Sequence, residues 1–226
     1  MNRYVIRFAK NGYIKYTSHL DTLRMFQRAF KRAGIALRYS QGFNPHPKMS
    51  FAQPLSLGYS SCCELLEFET EMTLEGEMIT ERLQAALPEG LSLLGCRRFD
   101  EPVKSLAAVA EAARYTIQIP KEDCTEGILQ KQISDYLKQS QIMVIKRKKK
   151  TREETSVDIR PQIRQLSAAS ERGKVFLDVL LDCGSTSNLS PELFLLSFLE
   201  FTGWPTERYQ IEVERTEIIF SSNLQF

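Results

Sequence analysis

The sequence predicts an α+β fold with antiparallel sheets, arranged in two units. Three observations lead there. β-rich runs alternate with helical patterns in the order βαββαβ; that order occurs twice, the second time with one extra strand; and an alanine-rich stretch separates the two occurrences. At 226 residues, with 42% hydrophobic and 26% charged side chains, the chain can bury two small cores, which excludes a disordered or collagen-like polypeptide.

In the first unit, residues 3–9 collect the β-formers Tyr4, Val5, Ile6 and Phe8 and read as a strand. Ser18 then opens a helix: its hydroxyl can cap the free N–H groups of the first turn, and Asp21, three residues on, can complete a capping box. Leu20, Leu23, Phe26, Phe30 and Ala33 recur every three or four residues on one helix face, and Gly34 supplies the left-handed stop. Residues 36–39 and 48–52 read as extended segments around a loop punctuated by Gly42, Pro45 and Pro47, and residues 65–70 as another strand. A helix over 77–87 and a strand over 91–97 complete the set, giving a ferredoxin-like unit over residues 1–100.

Residues 101–113 are the predicted linker, and residues 114–226 a second ferredoxin-like unit without detectable sequence repeat. Its elements are a strand over 115–119; a helix over 125–138 with Ile128, Ile133, Tyr136 and Leu137 inward; strands over 142–145, 157–163 and 174–181; a helix opened by Ser190-Pro191 and ended by Gly203; and a strand over 210–213. The helix from Pro191 is apolar almost all round, with Leu193, Phe194, Leu196, Leu199 and Phe201.

The net charge of +2 conceals a strong asymmetry. Residues 1–50 carry ten basic side chains against the single acid Asp21, whereas residues 51–100 carry three against nine. The first stretch is therefore a candidate surface for polyanions. No apolar run approaches the ~20 residues of a membrane-spanning helix, and residues 1–7 lack a signal peptide's apolar core, so a cytoplasmic chain without membrane contact is expected. Five cysteines, an odd number without CxxC spacing, read as small apolar residues.

On the first helix, Arg24, Arg28 and Lys31 stand at i, i+4 and i+7 and form a cationic stripe opposite the apolar face. A solvated helix face is the plain alternative. The loop Tyr39-Ser40-Gln41-Gly42-Phe43-Asn44-Pro45-His46-Pro47-Lys48 adds two aromatic rings, two amides, an imidazole and a cation on a backbone stiffened by two prolines. Bases stacked on Tyr39 or Phe43, with phosphates on Arg and Lys, would hold single-stranded RNA; a structural turn plugged by a buried Phe43 is the alternative. Lys146, Arg147, Lys148, Lys149, Lys150 and Arg152 form a second basic cluster at a predicted hairpin end, and Arg160 follows, spaced to meet Asp158 in an ion pair or to contact a ligand. His19 and His46, the only histidines, could serve as an acid–base pair on a ribose 2′-hydroxyl if they met, and His19 is more simply a first-turn helix residue.

The absent motifs narrow the chemistry further. Neither H-E-x-x-H nor the H-x-E and P-C-x-x-C pair of a zinc deaminase occurs; GxxxxGK[ST] and GxGxxG are missing too, and so is a cysteine triplet for an iron–sulfur cluster. No metal, cofactor or catalytic residue is assigned from sequence.

The runs Tyr16-Thr17-Ser18-His19-Leu20-Asp21 with Arg24, Tyr39 to Lys48, Pro54-Leu55-Ser56-Leu57-Gly58 and Val157-Asp158-Ile159-Arg160-Pro161 resemble a radical-SAM-linked bacterial family of unknown function. That family occurs as separate chains or fused C-terminal to radical S-adenosylmethionine domains. The resemblance implies a radical S-adenosylmethionine protein as partner and an accessory, substrate-presenting role, and it gives weight to Ser18, His19, Asp21, Arg24, Ser40, Gln41, Asn44, His46 and Lys48. The resulting expectation is a noncatalytic module that binds or presents RNA for modification. A metal-independent RNA endonuclease, by fold-level analogy, and a protein adaptor that does not bind RNA are the competing readings. The oligomeric state is not legible from the sequence.

Overall fold

The structure is a computed structural model that describes residues 2–99, 104–147 and 154–221. It is a mixed α+β fold with mostly antiparallel sheet and few helices. The chain divides into two compact units, Met1–Ala110 with Arg215–Phe226, and Glu111–Glu214.

In the first unit β1 (Arg3–Lys10) leads through a 3-10 turn, Gly12–Tyr16, to α1 (His19–Arg32). After a hairpin come β2 (Met49–Phe51), β3 (Ser60–Glu69), α2 (Gly76–Gln84), β4 (Leu91–Phe99) and the single turn α3 (Leu106–Val109). The strand order is β4-β1-β3, antiparallel throughout, with Ile6 opposite Leu66 on one side and Cys96 on the other; β2 pairs with β3, setting Phe51 opposite Leu66. Period-two alternation sends Tyr4, Ile6 and Phe8 to one face of the sheet, against Phe26 and Phe30 of α1 and Ile79 and Leu83 of α2. Val5, Ala52, Leu65 and Leu106 form a smaller cluster. β1 is thus buried on both faces.

The second unit begins with β5 (Ala110–Pro120) and α4 (Glu126–Lys138), followed by the two-stranded hairpin of β6 (Met143–Arg147) and β7 (Glu154–Asp158). A 3-10 turn, Arg160–Gln162, leads to β8 (Ile163–Glu171), β9 (Lys174–Asp182), α5 (Pro191–Thr202), a second 3-10 turn, Arg208–Gln210, and β10 (Glu212–Phe220). The order is β5-β9-β8, antiparallel. From Arg215 onward β10 belongs to the first unit, where it neighbours β3.

Several elements differ from the sequence reading. Of the residues predicted as linker, 106–109 form α3 and 110–113 open β5, while 101–103 lie outside the described residues. The predicted strand over 157–163 is broken: Asp158 Oδ1 accepts the N–H groups of Ile142 and Arg160 at 2.9 and 3.0 Å, and Pro161 sits in the 3-10 turn that follows. β8 escapes the sequence pattern because Ser167, Ala168, Ala169 and Ser170 carry too little apolar area to announce a strand. Residues 36–39 form no full strand and contribute only the isolated bridges of Leu37 with Thr70 and Tyr39 with Pro47. Leu20 and Ile128, expected on apolar helix faces, are more than half exposed. Helical period defines a face but not how far the packing partner extends along it.

Candidate functional site

α1 begins with the Ser18 cap its sequence predicts, but Asp21 takes the Ser18 hydroxyl rather than the Ser18 backbone N–H, so the reciprocal half of a capping box is not formed. The Asp21 N–H donates to Ser18 Oγ at 3.1 Å, and the Ser18 hydroxyl donates to Asp21 Oδ2 at 2.6 Å. Arg24 Nη1 lies 3.0 Å from Asp21 Oδ1. The Ser18 hydrogen bond first, and Arg24 second, hold the Asp21 carboxyl below its ordinary range. Ser18, Asp21 and Arg24 are thereby joined in a cap, and the predicted stripe of Arg24, Arg28 and Lys31 divides between this cap and a groove farther along the helix.

Arg28 and Lys31 line that groove, which has a volume of about 660 Å³. Tyr39 and Pro47, at the base of the 39–48 hairpin, and the acidic Glu71 line it as well. The hairpin neck is fixed by Ser40: its N–H donates to the His46 carbonyl at 2.9 Å, its hydroxyl oxygen accepts the His46 N–H at 3.1 Å, and the same oxygen lies 3.0 Å from His46 Nδ1. The Lys48 N–H donates to the Arg38 carbonyl at 2.8 Å one step further down. Proline restraint and this clamp present Gln41, Phe43 and Asn44 at an exposed tip. Phe43 is fully exposed, so it does not plug the turn. Lys48 leaves the candidate set for another reason: its Nζ is 3.1 Å from Glu69 Oε2, which Arg38 also approaches at 3.6 Å.

The two histidines have different surroundings. His46 belongs to the hairpin neck, whereas the His19 ring packs edge-on against Phe51, with centroids 5.1 Å apart, and lines a separate small cavity. No contact joins them among the described residues, so the acid–base pair is not assembled. That small cavity also holds Lys10 and Glu64, and Arg215 pairs with Glu64 behind it; sequence reading missed this buried charge cluster. The available signal was a charged residue at the end of one β-rich run, Lys10 after Phe8-Ala9, and another inside a second, Glu64 between Cys62-Cys63 and Leu65-Leu66.

In the second unit Lys146 is exposed on β6 opposite Thr155, and Arg147 pairs with Glu154 in the strand register. Lys148, Lys149, Lys150 and Arg152 lie outside the described residues. Arg160 is withdrawn from the basic patch: its Nε donates to the Leu137 carbonyl at 2.9 Å and its backbone N–H caps Asp158, so it closes the turn. Burial pushes the Cys63 and Cys96 thiols up to about 12, which leaves them protonated and weakly nucleophilic at neutral pH. No helix among the described residues is long and apolar enough to cross a membrane, and those residues gather no group of three or more His, Cys, Asp or Glu side chains that could hold a metal ion.

Fold and groove define an α+β protein with a cationic, aromatic-edged groove on its first unit. The family model for uncharacterized proteins conserved in bacteria, DUF2344, matches residues 3–191, and the chain belongs to that family. Among solved structures, one chain of a Cbf5-Nop10-Gar1 complex is similar over 95% of this chain and 48% of its own, with 10% identity and a TM-score of 0.48. The present chain therefore spans about half the length of that one. An unknown protein from Galdieria sulphuraria is similar over 95% of this chain and 98% of its own, with 15% identity and a TM-score of 0.29. No curated protein matches the sequence.

Proposed function

We propose that the first unit binds single-stranded RNA in the groove between α1 and the 39–48 hairpin, and that the protein presents this RNA to a radical S-adenosylmethionine enzyme without itself catalysing a reaction. The observation that carries the reading is the convergence of Arg28, Lys31 and Tyr39 on one groove. Two guanidinium or ammonium groups at helical spacing suit consecutive phosphates, and a tyrosine ring half-exposed at the groove wall offers a face for a base. The exposed Phe43 ring gives a second stacking platform at the hairpin tip. The partner enzyme follows from the motif resemblance alone. The strand orders β4-β1-β3 with β2 against β3, and β5-β9-β8, support reading each unit as a variant of the ferredoxin-like βαββαβ arrangement.

The test is fluorescence anisotropy of a labelled single-stranded RNA pool across a salt titration, with Arg28→Ala/Lys31→Ala and Tyr39→Ala beside the parent protein. Two phosphate contacts on a single strand predict that the slope of log K against log salt flattens by roughly 1.4 in the double variant. Loss of one stacking face predicts a cost of about 1–3 kcal/mol in Tyr39→Ala. Undiminished binding in both variants overturns the groove assignment. If the parent protein binds no RNA yet retains the radical enzyme after nuclease treatment, the adaptor reading replaces this one.

A further inference from the structure

The small cavity beneath the start of α1 lies apart from the groove, and its lining poses a separate chemical question. Lys10, Glu64 and Arg215 are 3%, 3% and 1% exposed. Glu64 and Arg215 pair closely: Nε and Nη2 donate to the two carboxylate oxygens at 2.8 and 2.5 Å, and Nη1 and Nη2 also reach the Pro54 and Gln53 carbonyls at 3.3 and 3.1 Å. The Glu64 carboxylate also lines the cavity and its field reaches Lys10 and His19, but with Arg215 and Lys10 the three buried side chains sum to one net positive charge. The Lys10 Nζ donates to the Thr17 carbonyl at 2.9 Å, which uses one of three N–H groups. His19 faces the same cavity, and neither ring nitrogen hydrogen-bonds to another described residue.

Packing alone does not call for this arrangement. Methionine would fill the Lys10 position without desolvating a charge, and burial disfavours the ammonium enough to lower the Lys10 pKa against the opposing pull of Glu64. The cavity volume is about 10 Å³, room for one oxygen-sized group, and Phe8, Phe51 and Leu55 wall it with apolar surface that strengthens any charge interaction inside. The 14-residue helix α1 starts at His19, which adds partial positive charge at the same end.

We propose that Lys10 and His19 form an oxyanion site that takes one oxygen of a phosphate group, the rest of the group remaining at the cavity mouth. The incoming negative charge balances the net positive charge of the three buried side chains, and the oxygen accepts hydrogen bonds from Nζ and from the imidazole N–H. Free phosphate and the terminal phosphate of a nucleic acid strand share this chemistry. The site is independent of the RNA groove, because none of its lining residues is among those assigned there.

The His19 imidazole reports on the site directly. Its NMR signals are followed at constant pH and ionic strength as inorganic phosphate is added, then a short RNA with and without a 5′-phosphate. The expected result is a saturable shift of His19 while His46 stays in place. Lys10→Met should weaken that response at least tenfold, and Lys10→Gln, which keeps a donor for the Thr17 carbonyl, provides the same comparison if the methionine variant does not fold. A response confined to 5′-phosphorylated RNA assigns the site to a strand end, and a response to inorganic phosphate alone assigns it to the free anion; either upholds the proposal. His19 signals unmoved by all three probes, with inorganic phosphate taken to about 20 mM, where even a millimolar site would be filled, overturn it. An unaltered response in the Lys10 variants overturns it equally.

Discussion

His19 is the residue whose surroundings make the sharpest solution prediction. Burial lowers its pKa from the ordinary 6.5, with Glu64 pulling the other way. The folded protein therefore holds His19 neutral at a pH where the unfolded chain has already taken up the proton. Stability contributed by this group is complete above about pH 6.5 and declines as pH falls through the lowered folded value. Urea midpoints measured from pH 7.5 downward should fall over that window, and His19→Gln should flatten the decline; an unchanged slope in the variant would remove His19 as its cause. Asp21 acts in a lower window: its pKa is depressed from 3.8, so its contribution persists above that value and disappears as the carboxylate protonates below it. The Ser18 cap was legible in the sequence because Ser18 and Asp21 stand three residues apart, whereas the pairing of Arg24 with Asp21, equally local, was read instead as part of the cationic stripe. His19 was legible as a helix-start residue, but its cavity was not, because Lys10 and Glu64 reach it from two strands.

At the level of elements, helix starts and tight turns carry the predictions. Ser18→Ala removes the acceptor for the Asp21 N–H and should cost about 1 kcal/mol, seen as a lower thermal midpoint. Gly90 is more constrained. It adopts φ +90°, its carbonyl accepts the Asn11 N–H at 2.9 Å, and a Cβ there would sit 2.6 Å from the Asn11 carbonyl oxygen. Gly90→Ala should therefore destabilise by more than about 1 kcal/mol, through strain at the junction of β4 with the turn after β1. Gly127, in the first turn of α4, has open space around the corresponding position and no positive φ. Gly127→Ala should raise stability by about 0.5 kcal/mol, and paired thermal melts of the two alanine variants check the opposite signs.

For the molecule as a whole, the decisive fact is that the first unit is assembled from both ends of the chain. Arg215 on β10 neutralises Glu64 on β3, 151 residues earlier, with both side chains almost fully buried. Arg215→Met leaves the Glu64 carboxylate buried and unpaired, which should destabilise by about 3–5 kcal/mol. The double variant Arg215→Met/Glu64→Leu should recover most of that loss. Chemical denaturation of the three proteins tests the pairing, and a double variant no better than the single would reject it.

The α+β class, the alternation of strands and helices, the capped start of α1 and the basic character of the first fifty residues were all determined by the sequence itself, because each depends on neighbours within a few positions. The meeting of Arg28 and Lys31 with Tyr39 and Pro47 in one groove, the ion pairing of Lys48 with Glu69, the inward turn of Arg160 and the recruitment of Arg215–Phe220 into the first unit were decided only by tertiary structure. Each of these depends on a partner brought close by the fold rather than by spacing along the chain. Burial then determines whether a charge is an exposed ligand contact or an internal ion pair, and local sequence pattern carries no measure of that burial.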